Sequence, residues 1–179
     1  SAPLTVFAAT DSENSTINAN LGSTISMTTS GSVALNVTPV SGGSQTSASD
    51  TVSVSTNNAG GYFLTLANAD ATTTLVNGAN TIAAHAGTQA SPTALANNTW
   101  GYRVDSIGGF STGGAVESNV TTSSITYAGV PATGSPNTIK TTGTTASNDT
   151  TTVWYAVKAD TTKPNGTYTD TVTYTATTN

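Results

Sequence analysis

Cysteine is absent from this chain of 179 residues, and only four residues are basic. Without disulfides, a small exported domain of this sequence must be held together by β pairing and a hydrophobic core. The four cations, Arg103, Lys140, Lys158 and Lys163, are too few and too scattered to neutralise a row of phosphates. We therefore exclude nucleic acid and anionic membranes as partners. No apolar run reaches about 18 residues, so we also predict no membrane span.

The residues that build catalytic and metal sites are equally scarce. His85 is the single histidine, and we interpret it as a surface residue at a strand end. One histidine without cysteine cannot supply the three or four nitrogen or sulfur ligands of a zinc site. Asp11 with Glu13, and Asp149 with Asp160, could meet to bind calcium, but no calcium-loop motif is present and turn positions are the favoured interpretation. We predict that the chain is not an enzyme and has no catalytic residue, metal or cofactor.

What the sequence has in abundance is threonine. It contains 40 Thr, 21 Ser, 16 Asn and 17 Gly, while charged residues make up only 7%. Threonine is β-branched, which favours strands, and its hydroxyl keeps an exposed strand face hydrated. A surface solubilised by hydroxyl groups rather than charges predicts an extracellular or cell-surface location. Ser1-Ala2-Pro3 is what cleavage of a signal peptide would leave.

Apolar residues recur with a period of two, which is typical of half-buried strands. From Tyr168 to Ala176 they alternate with threonine, after the turn sequence Lys163–Gly166. A hairpin is predicted around the loop 57–61. The apolar stripes of its strands are Val52 and Val54 before the loop and Tyr62, Leu64 and Leu66 after it. The segment Thr151–Ala159 is apolar on both faces, which predicts a strand in the middle of a sheet.

Further short strands are expected throughout the chain. The candidates are Leu4–Ala9, Ser15–Ala19, Ser23–Thr28, Ser32–Thr38, Asn80–Ala83, Thr99–Asp105, Ser123–Tyr127 and Asn137–Thr141. Ser91–Ala96 is the one predicted helical turn, and Ser41–Ser49, Gly108–Gly114 and Thr141–Asn148 are predicted linkers. We predict an all-β fold, an antiparallel β-sandwich of the immunoglobulin-like or jelly-roll kind with little helix.

Aromatic residues allow two interpretations. Trp100 with Tyr102, and Trp154 with Tyr155, could form platforms for sugars, but a sandwich normally places such residues in its core. We expect the core to be anchored by Tyr62, Leu64, Leu66, Trp100, Trp154, Val172 and Tyr174.

Three stretches resemble known surface proteins. Asp50–Leu66, Asn97–Asp105 and Thr151–Lys158 are similar to segments of Thr-rich secreted β-sandwich proteins of ultrasmall, host-attached bacteria. Gly166-Thr-Tyr-Thr-Asp-Thr-Val-Thr-Tyr-Thr-Ala resembles the last strand of spore-coat-U-like and chaperone–usher pilins. The resemblance covers residues 50–179 and implies an exported sandwich with an adhesive or filamentous role. It carries no catalytic residues.

The first ten residues are predicted to form a separate strand, followed by a sandwich domain over residues 11–179. Leu4–Ala9 is apolar on both faces, and an exposed apolar strand is an aggregation hazard. It can pair within its own domain, or it can insert into the sheet of a neighbouring copy beside the pilin-like last strand. The second outcome predicts a structural subunit of a pilus-like homopolymer, with Leu4, Val6, Phe7, Ala8, Val172 and Tyr174 at the subunit interface. The alternative is a standalone adhesin or glycan-binding module whose partner is a host surface or glycan.

Overall fold

The computed structural model describes all residues from 1 to 179, and its regular structure is entirely β. It contains no helix, and thus none that could cross a bilayer. The twelve strands are β1 Ile25–Thr28, β2 Ser44–Thr56, β3 Tyr62–Asn68, β4 Leu75–Asn77, β5 Asn80–Ala84, β6 Thr93–Ala94, β7 Thr99–Arg103, β8 Glu117–Val120, β9 Thr126–Tyr127, β10 Asn137–Thr141, β11 Ala146–Ala159 and β12 Val172–Thr178.

The larger sheet has the strand order β1-β2-β11-β7-β5-β4. Its centre is β11, which pairs along its length with β2 and on its other edge with β7. The sequence prediction of a central strand at Thr151–Ala159 is therefore confirmed. On the outer edge of β2, β1 pairs the second half of the strand and β8 pairs the first. One strand pair, β5 with β7, is parallel, and the other strand pairs are antiparallel.

The smaller sheet has the order β10-β3-β12 and packs against the larger one, with the core between them. Core side chains alternate along each strand, because successive side chains of a strand point to opposite faces. Val52 and Val54 lie on the larger sheet and Tyr62, Leu64 and Leu66 on the smaller, all fully buried. The predicted all-β sandwich is confirmed. A separate two-stranded ribbon joins β6 to β9.

The last strand has the predicted alternation. Val172, Tyr174 and Ala176 are half-buried against the core, and Thr173, Thr175 and Thr177 are exposed. Its partner β3 pairs with it residue by residue from Asn68 to Tyr62. The other edge of β12 has no strand beside it, apart from one bridge between Val76 and Thr169 just before the strand begins.

Several sequence predictions of local structure are wrong. The predicted strands Leu4–Ala9, Ser15–Ala19 and Ser32–Thr38 do not form, since they pair with no other strand. Ser91–Ala96 is not helical: its middle forms β6, which pairs with β9. A helix of one or two turns has too few hydrogen bonds to offset its nucleation cost, so a cross-strand partner decides the conformation.

The predicted linker Ser41–Ser49 is mostly strand, since β2 begins at Ser44 and residues 44–47 are buried. Their polar side chains are tolerated because each finds a hydrogen-bond partner, which is the Glu117 carboxylate for Gln45 and a main-chain carbonyl for the other three. The Thr46 hydroxyl donates to Asn36 O over 3.0 Å, and the Ser47 hydroxyl donates to Ala115 O over 2.7 Å. The predicted linker Thr141–Asn148 is likewise shorter, because β10 ends at Thr141 and β11 begins at Ala146.

The predicted core anchors divide into three groups. The first group is buried in the core and consists of Tyr62, Leu64, Leu66 and Trp100. The second group, Val172 and Tyr174, is half-buried at the edge of the core. Trp154 is not in the main core. Its neighbours Val153 and Tyr155 on β11 face the core, so Trp154 points to the opposite face, where it packs beside a small cluster of Leu95, Tyr127 and Ala156.

Candidate assembly site

Residues 1–21 form an extended segment, here called the tail, that lies outside the sandwich. Every residue of the tail is exposed, none belongs to a strand, and none makes a hydrogen bond within the chain. The first hydrogen bonds to the fold come from Asn57, which donates to Gly22 O over 2.9 Å and accepts from Thr24 N over 2.8 Å. The exposed segment is thus longer than the ten residues we predicted, and the sandwich begins near Thr24.

The tail carries most of the exposed large apolar residues of the molecule. Leu4, Val6, Phe7, Ile17 and Leu21 are each more than four-fifths exposed, at 92%, 84%, 87%, 88% and 85%. They form two stretches, at residues 4–9 and 17–21, separated by the polar run Thr10–Thr16. A single exposed apolar residue is ordinary, but a concentration of this kind marks an interaction surface.

A second unpaired element lies beside the sandwich. Residues 32–38 run alongside β2, and Val33, Leu35 and Val37 alternate as half-buried side chains against the core. No main-chain group of residues 32–35 or of Val37 has a hydrogen-bond partner in the chain. This segment therefore has the side-chain pattern of a strand but lacks the main-chain hydrogen bonds to a neighbouring strand.

One flank of the core, here called the seam, is therefore closed by no main-chain ladder. One side of the seam is the free edge of β12, with Val172, Tyr174 and Ala176. The other side is β1 and the segment 32–38, whose half-buried apolar residues contact the same core. The two sides converge where Cα atoms of β1 and β12 approach within 8 Å. Half-buried apolar side chains beside free main-chain groups are the features to which an added strand binds.

A polar contact fixes Tyr174 at the seam. Its hydroxyl lies 2.6 Å from that of Tyr155, which is buried. The carboxylate of the neighbouring Asp50 accepts a hydrogen bond from Ser30 N over 2.9 Å. Burial, with the neighbouring Tyr155 and Asp50, raises the pKa of Tyr174, so the phenol stays protonated at neutral pH. The network links β12 to the larger sheet and holds the tyrosine ring in place.

Of the predicted interface residues, Leu4, Val6, Phe7 and Ala8 lie in the exposed tail, and Val172 and Tyr174 lie on the seam. Within one molecule the two groups do not meet. Ile17, Leu21, Ala176 and the segment 32–38 were not predicted as interface residues, although all of them except Leu21 lie in predicted strands.

Comparison with family models, curated proteins and solved structures finds no match to this chain. The functional argument therefore depends on the chain's own geometry.

The other candidate residues are accounted for by local structure. His85 is buried, which corrects its prediction as a surface residue. Its imidazole contacts the Thr93 hydroxyl at 2.8 Å, and burial lowers its pKa. Asp149 and Asp160 lie at opposite ends of β11, too far apart to share a cation, and Asp11 and Glu13 lie in the exposed tail. No group of three or more His, Cys, Asp or Glu side chains is placed to share a metal ion.

The aromatic pairs do not form exposed platforms. Trp100 stacks on Tyr155 inside the core, with ring centroids 6.5 Å apart, and Tyr102 is fully buried. Trp154 alone is partly accessible, on the outer face of the larger sheet beside Gly114.

Arg103 is a buried cation that sequence analysis counted only as one of four. It pairs with Asp105 at 2.6 Å, lies over the Phe110 ring and donates to Thr126 O and Ser111 O. Asp105 in turn accepts from Gly113 N and Gly114 N. Although burial opposes it, these hydrogen bonds and the Arg103 charge lower the pKa of Asp105. The cluster anchors the loop 105–114, which is a structural role.

Proposed function

We propose that this chain is a structural subunit of an extracellular, pilus-like filament, in which the tail of one copy adds as a strand beside β12 of the next copy. The observation that carries the proposal is the tail itself, with five large apolar side chains exposed and no intramolecular hydrogen bond along 21 residues. A strand-forming segment with that pattern has to be covered, because exposed apolar strands lead to uncontrolled aggregation.

The energetics favour covering the tail with another copy. Burial of one large aliphatic side chain contributes about 1.5–3 kcal/mol, and each main-chain hydrogen bond adds about 1 kcal/mol. The free energy gained from two or three buried side chains and a short ladder of main-chain hydrogen bonds therefore approaches the cost of association, about 4–15 kcal/mol. Further contact between the two sandwich domains adds to this gain.

The seam supplies the matching site. Its β12 edge is unpaired, and Val172, Tyr174 and Ala176 are only half-buried, so a strand added there completes both the ladder and the core. Donor and acceptor are different surfaces of the same chain. A contact of this head-to-tail kind continues from copy to copy and generates a filament unless the rotation closes a ring.

The composition supports an extracellular location. A threonine-coated surface with 7% charged residues and no cysteine fits an exported protein that does not depend on disulfides. The resemblance to secreted surface proteins and to the last strand of pilins points in the same direction. In this role the chain performs no catalysis and needs no cofactor.

One observation favours a second candidate, a standalone adhesin or glycan-binding module. Trp154 is partly accessible on the outer face of the larger sheet, where an aromatic face can stack on a sugar ring. This function predicts a monomer whose glycan binding is lost in the Trp154→Ala variant and which needs no tail.

Deletion of residues 1–21 tests the proposal. The full chain is expected to form filaments in negative-stain electron micrographs and to sediment as polymer. The deletion variant is expected to stay monomeric with unchanged far-ultraviolet circular dichroism, because the tail makes no contact with the fold. Filaments from the deletion variant, or a stable monomer from the full chain at high concentration, would refute strand donation.

A further inference from the structure

The two apolar stretches of the tail differ in pattern. Residues 16–21 alternate strictly, with Ile17, Ala19 and Leu21 on one face and Thr16, Asn18 and Asn20 on the other. A strand at the edge of a sandwich needs this pattern, because one face meets the core and the other meets water. Leu4–Ala9 is apolar on both faces, which fits a strand enclosed on both sides, and the seam offers only one apolar face.

The side-chain sizes along β12 select a register. Tyr174 is the central one of the three core-facing residues of β12, and its ring is held by the hydrogen bond between its hydroxyl and that of Tyr155. Directly opposite residues of paired strands have Cβ atoms about 4.5–5.5 Å apart. Tyr174 already has the large Leu66 opposite it on β3, so size complementarity calls for a small residue on its free side. Alanine meets this requirement, and large residues two positions away on either side can fill the space beside Val172 and Ala176.

Only one alanine of the tail has such flanks. Ala19 lies between Ile17 and Leu21 on its face of the strand. With Ala8 in the same place, Thr10 would enter the core, and with Ala9 there, Asp11 would enter it. An unpaired carboxylate in an apolar site is strongly unfavourable, so the last arrangement is excluded.

Charge selects the direction of the added strand. Two carboxylates, Asp70 and Asp170, lie close together at the start of β12, where Ala69 N donates to Thr171 O, and they make that end negative. The other end, at Asn179, contacts the uncharged residues Asn58, Gly60 and Thr142. Parallel pairing would place Asp11 and Glu13 at the negative end. Antiparallel pairing places them away from these two carboxylates and also continues the antiparallel order of the smaller sheet.

We propose that the donated strand is the segment 16–21 of one copy, antiparallel to β12 of the next, with Ala19 opposite Tyr174, Ile17 opposite Ala176 and Leu21 opposite Val172. This inference rests on the proposed function and names the donor and its register.

Cysteine pairs test the register in the full chain, which has no other cysteine. The double variant Ile17→Cys/Ala176→Cys is assembled under reducing conditions, oxidised mildly and run on a denaturing gel without reductant. Opposite cysteines in paired strands are close enough for a disulfide. The expected result is a ladder of covalent oligomers that collapses to monomer on reduction.

Three matched variants test other donor segments or the other strand direction. Each of them keeps Ala176→Cys as the acceptor cysteine. Val6→Cys/Ala176→Cys and Phe7→Cys/Ala176→Cys test the first apolar stretch on its two faces, and Leu21→Cys/Ala176→Cys tests parallel pairing. Each is expected to give severalfold less ladder than the Ile17 variant. A stronger ladder from any of them overturns the proposed register but leaves strand donation standing.

Two further outcomes separate the inference from the function. If filaments form but no pair crosslinks, β12 is not the acceptor for either apolar stretch. The inference then fails, and of the proposed function only the filament stands. If no filament forms and the Ile17 variant closes into a covalent monomer, the tail pairs within its own chain, and both the inference and the proposed function fail.

Discussion

The two tryptophans show how neighbouring positions on a strand decide the role of a residue. Trp100 is nearly fully buried and stacks on Tyr155, and its indole nitrogen donates to Thr73 O over 2.9 Å. Trp154 is next to Tyr155 in sequence, yet it faces the other side of the larger sheet. Sequence analysis placed both in the core, because a segment that is apolar on both faces does not reveal which face is the main core.

Substitution of each tryptophan by alanine should separate these roles. Trp100→Ala is expected to lower the free energy of unfolding by about 3–5 kcal/mol, because it leaves a cavity in the main core and an unpaired carbonyl at Thr73. Trp154→Ala, the matched control, is expected to cost clearly less, since its side chain is already partly hydrated. Urea unfolding followed by circular dichroism measures both. Equal losses would contradict the assignment of Trp154 to the outer cluster.

At the scale of elements, strands with an alternating apolar pattern were predictable from sequence. Asn137–Thr141 was predicted with its observed bounds, and the hairpin strands, the last strand and the central strand were placed correctly in their main parts. The first half of β2 was missed because its residues are polar. They are buried only because the Ser47 hydroxyl and others reach carbonyls such as Ala115 O, far away in sequence.

The seam could be predicted in part. The unusual apolar tail and the last strand were visible in the sequence, since both depend on local pattern. That β12 has a free edge, and that Val33, Leu35 and Val37 lie near it without a ladder, depends on strand order, which local pattern does not determine.

The attachment of β12 to the larger sheet depends on the pair Tyr155 and Tyr174. Tyr174→Phe should destabilise the fold by about 1–3 kcal/mol, because the buried Tyr155 hydroxyl then lacks its partner. The double variant Tyr155→Phe/Tyr174→Phe should lose less than the sum of the two single variants, since neither hydroxyl is then left unpaired. Asp50 keeps its hydrogen bond from Ser30 N in every variant.

A double-mutant cycle on the free energies of unfolding measures this coupling. Additive losses would mean that the hydroxyls do not interact, and Tyr174 would then not be held in place at the seam. Tyr168→Phe is the control, because its hydroxyl bonds only Pro164 O in an exposed turn.

For the whole molecule, buried tyrosines outnumber buried charges and should determine how stability depends on pH. Burial raises the pKa of Tyr102 and Tyr127 to about 12. Burial raises the pKa of Tyr155 and Tyr174 as well, and that of Tyr62 is raised by burial and by its hydrogen bond to Asp149. Only a fold in which phenol groups contribute much of the interior would show this concentration of shifts in one direction.

The sign of the pH dependence follows from these shifts. Unfolded tyrosines ionise near pH 10, whereas the folded ones hold their protons to higher pH, so above pH 10 the unfolded state releases protons first. Stability should be at its full value below about pH 10 and should fall steeply as pH rises toward about 12. Urea unfolding at a series of alkaline pH values measures this fall, and tyrosinate absorbance reports the ionisation. Tyr102→Phe should make the fall shallower, because it removes one of the raised pKa values. A stability that stays constant through this range would show that the phenols are hydrated in the folded protein, which would contradict the packing of the core.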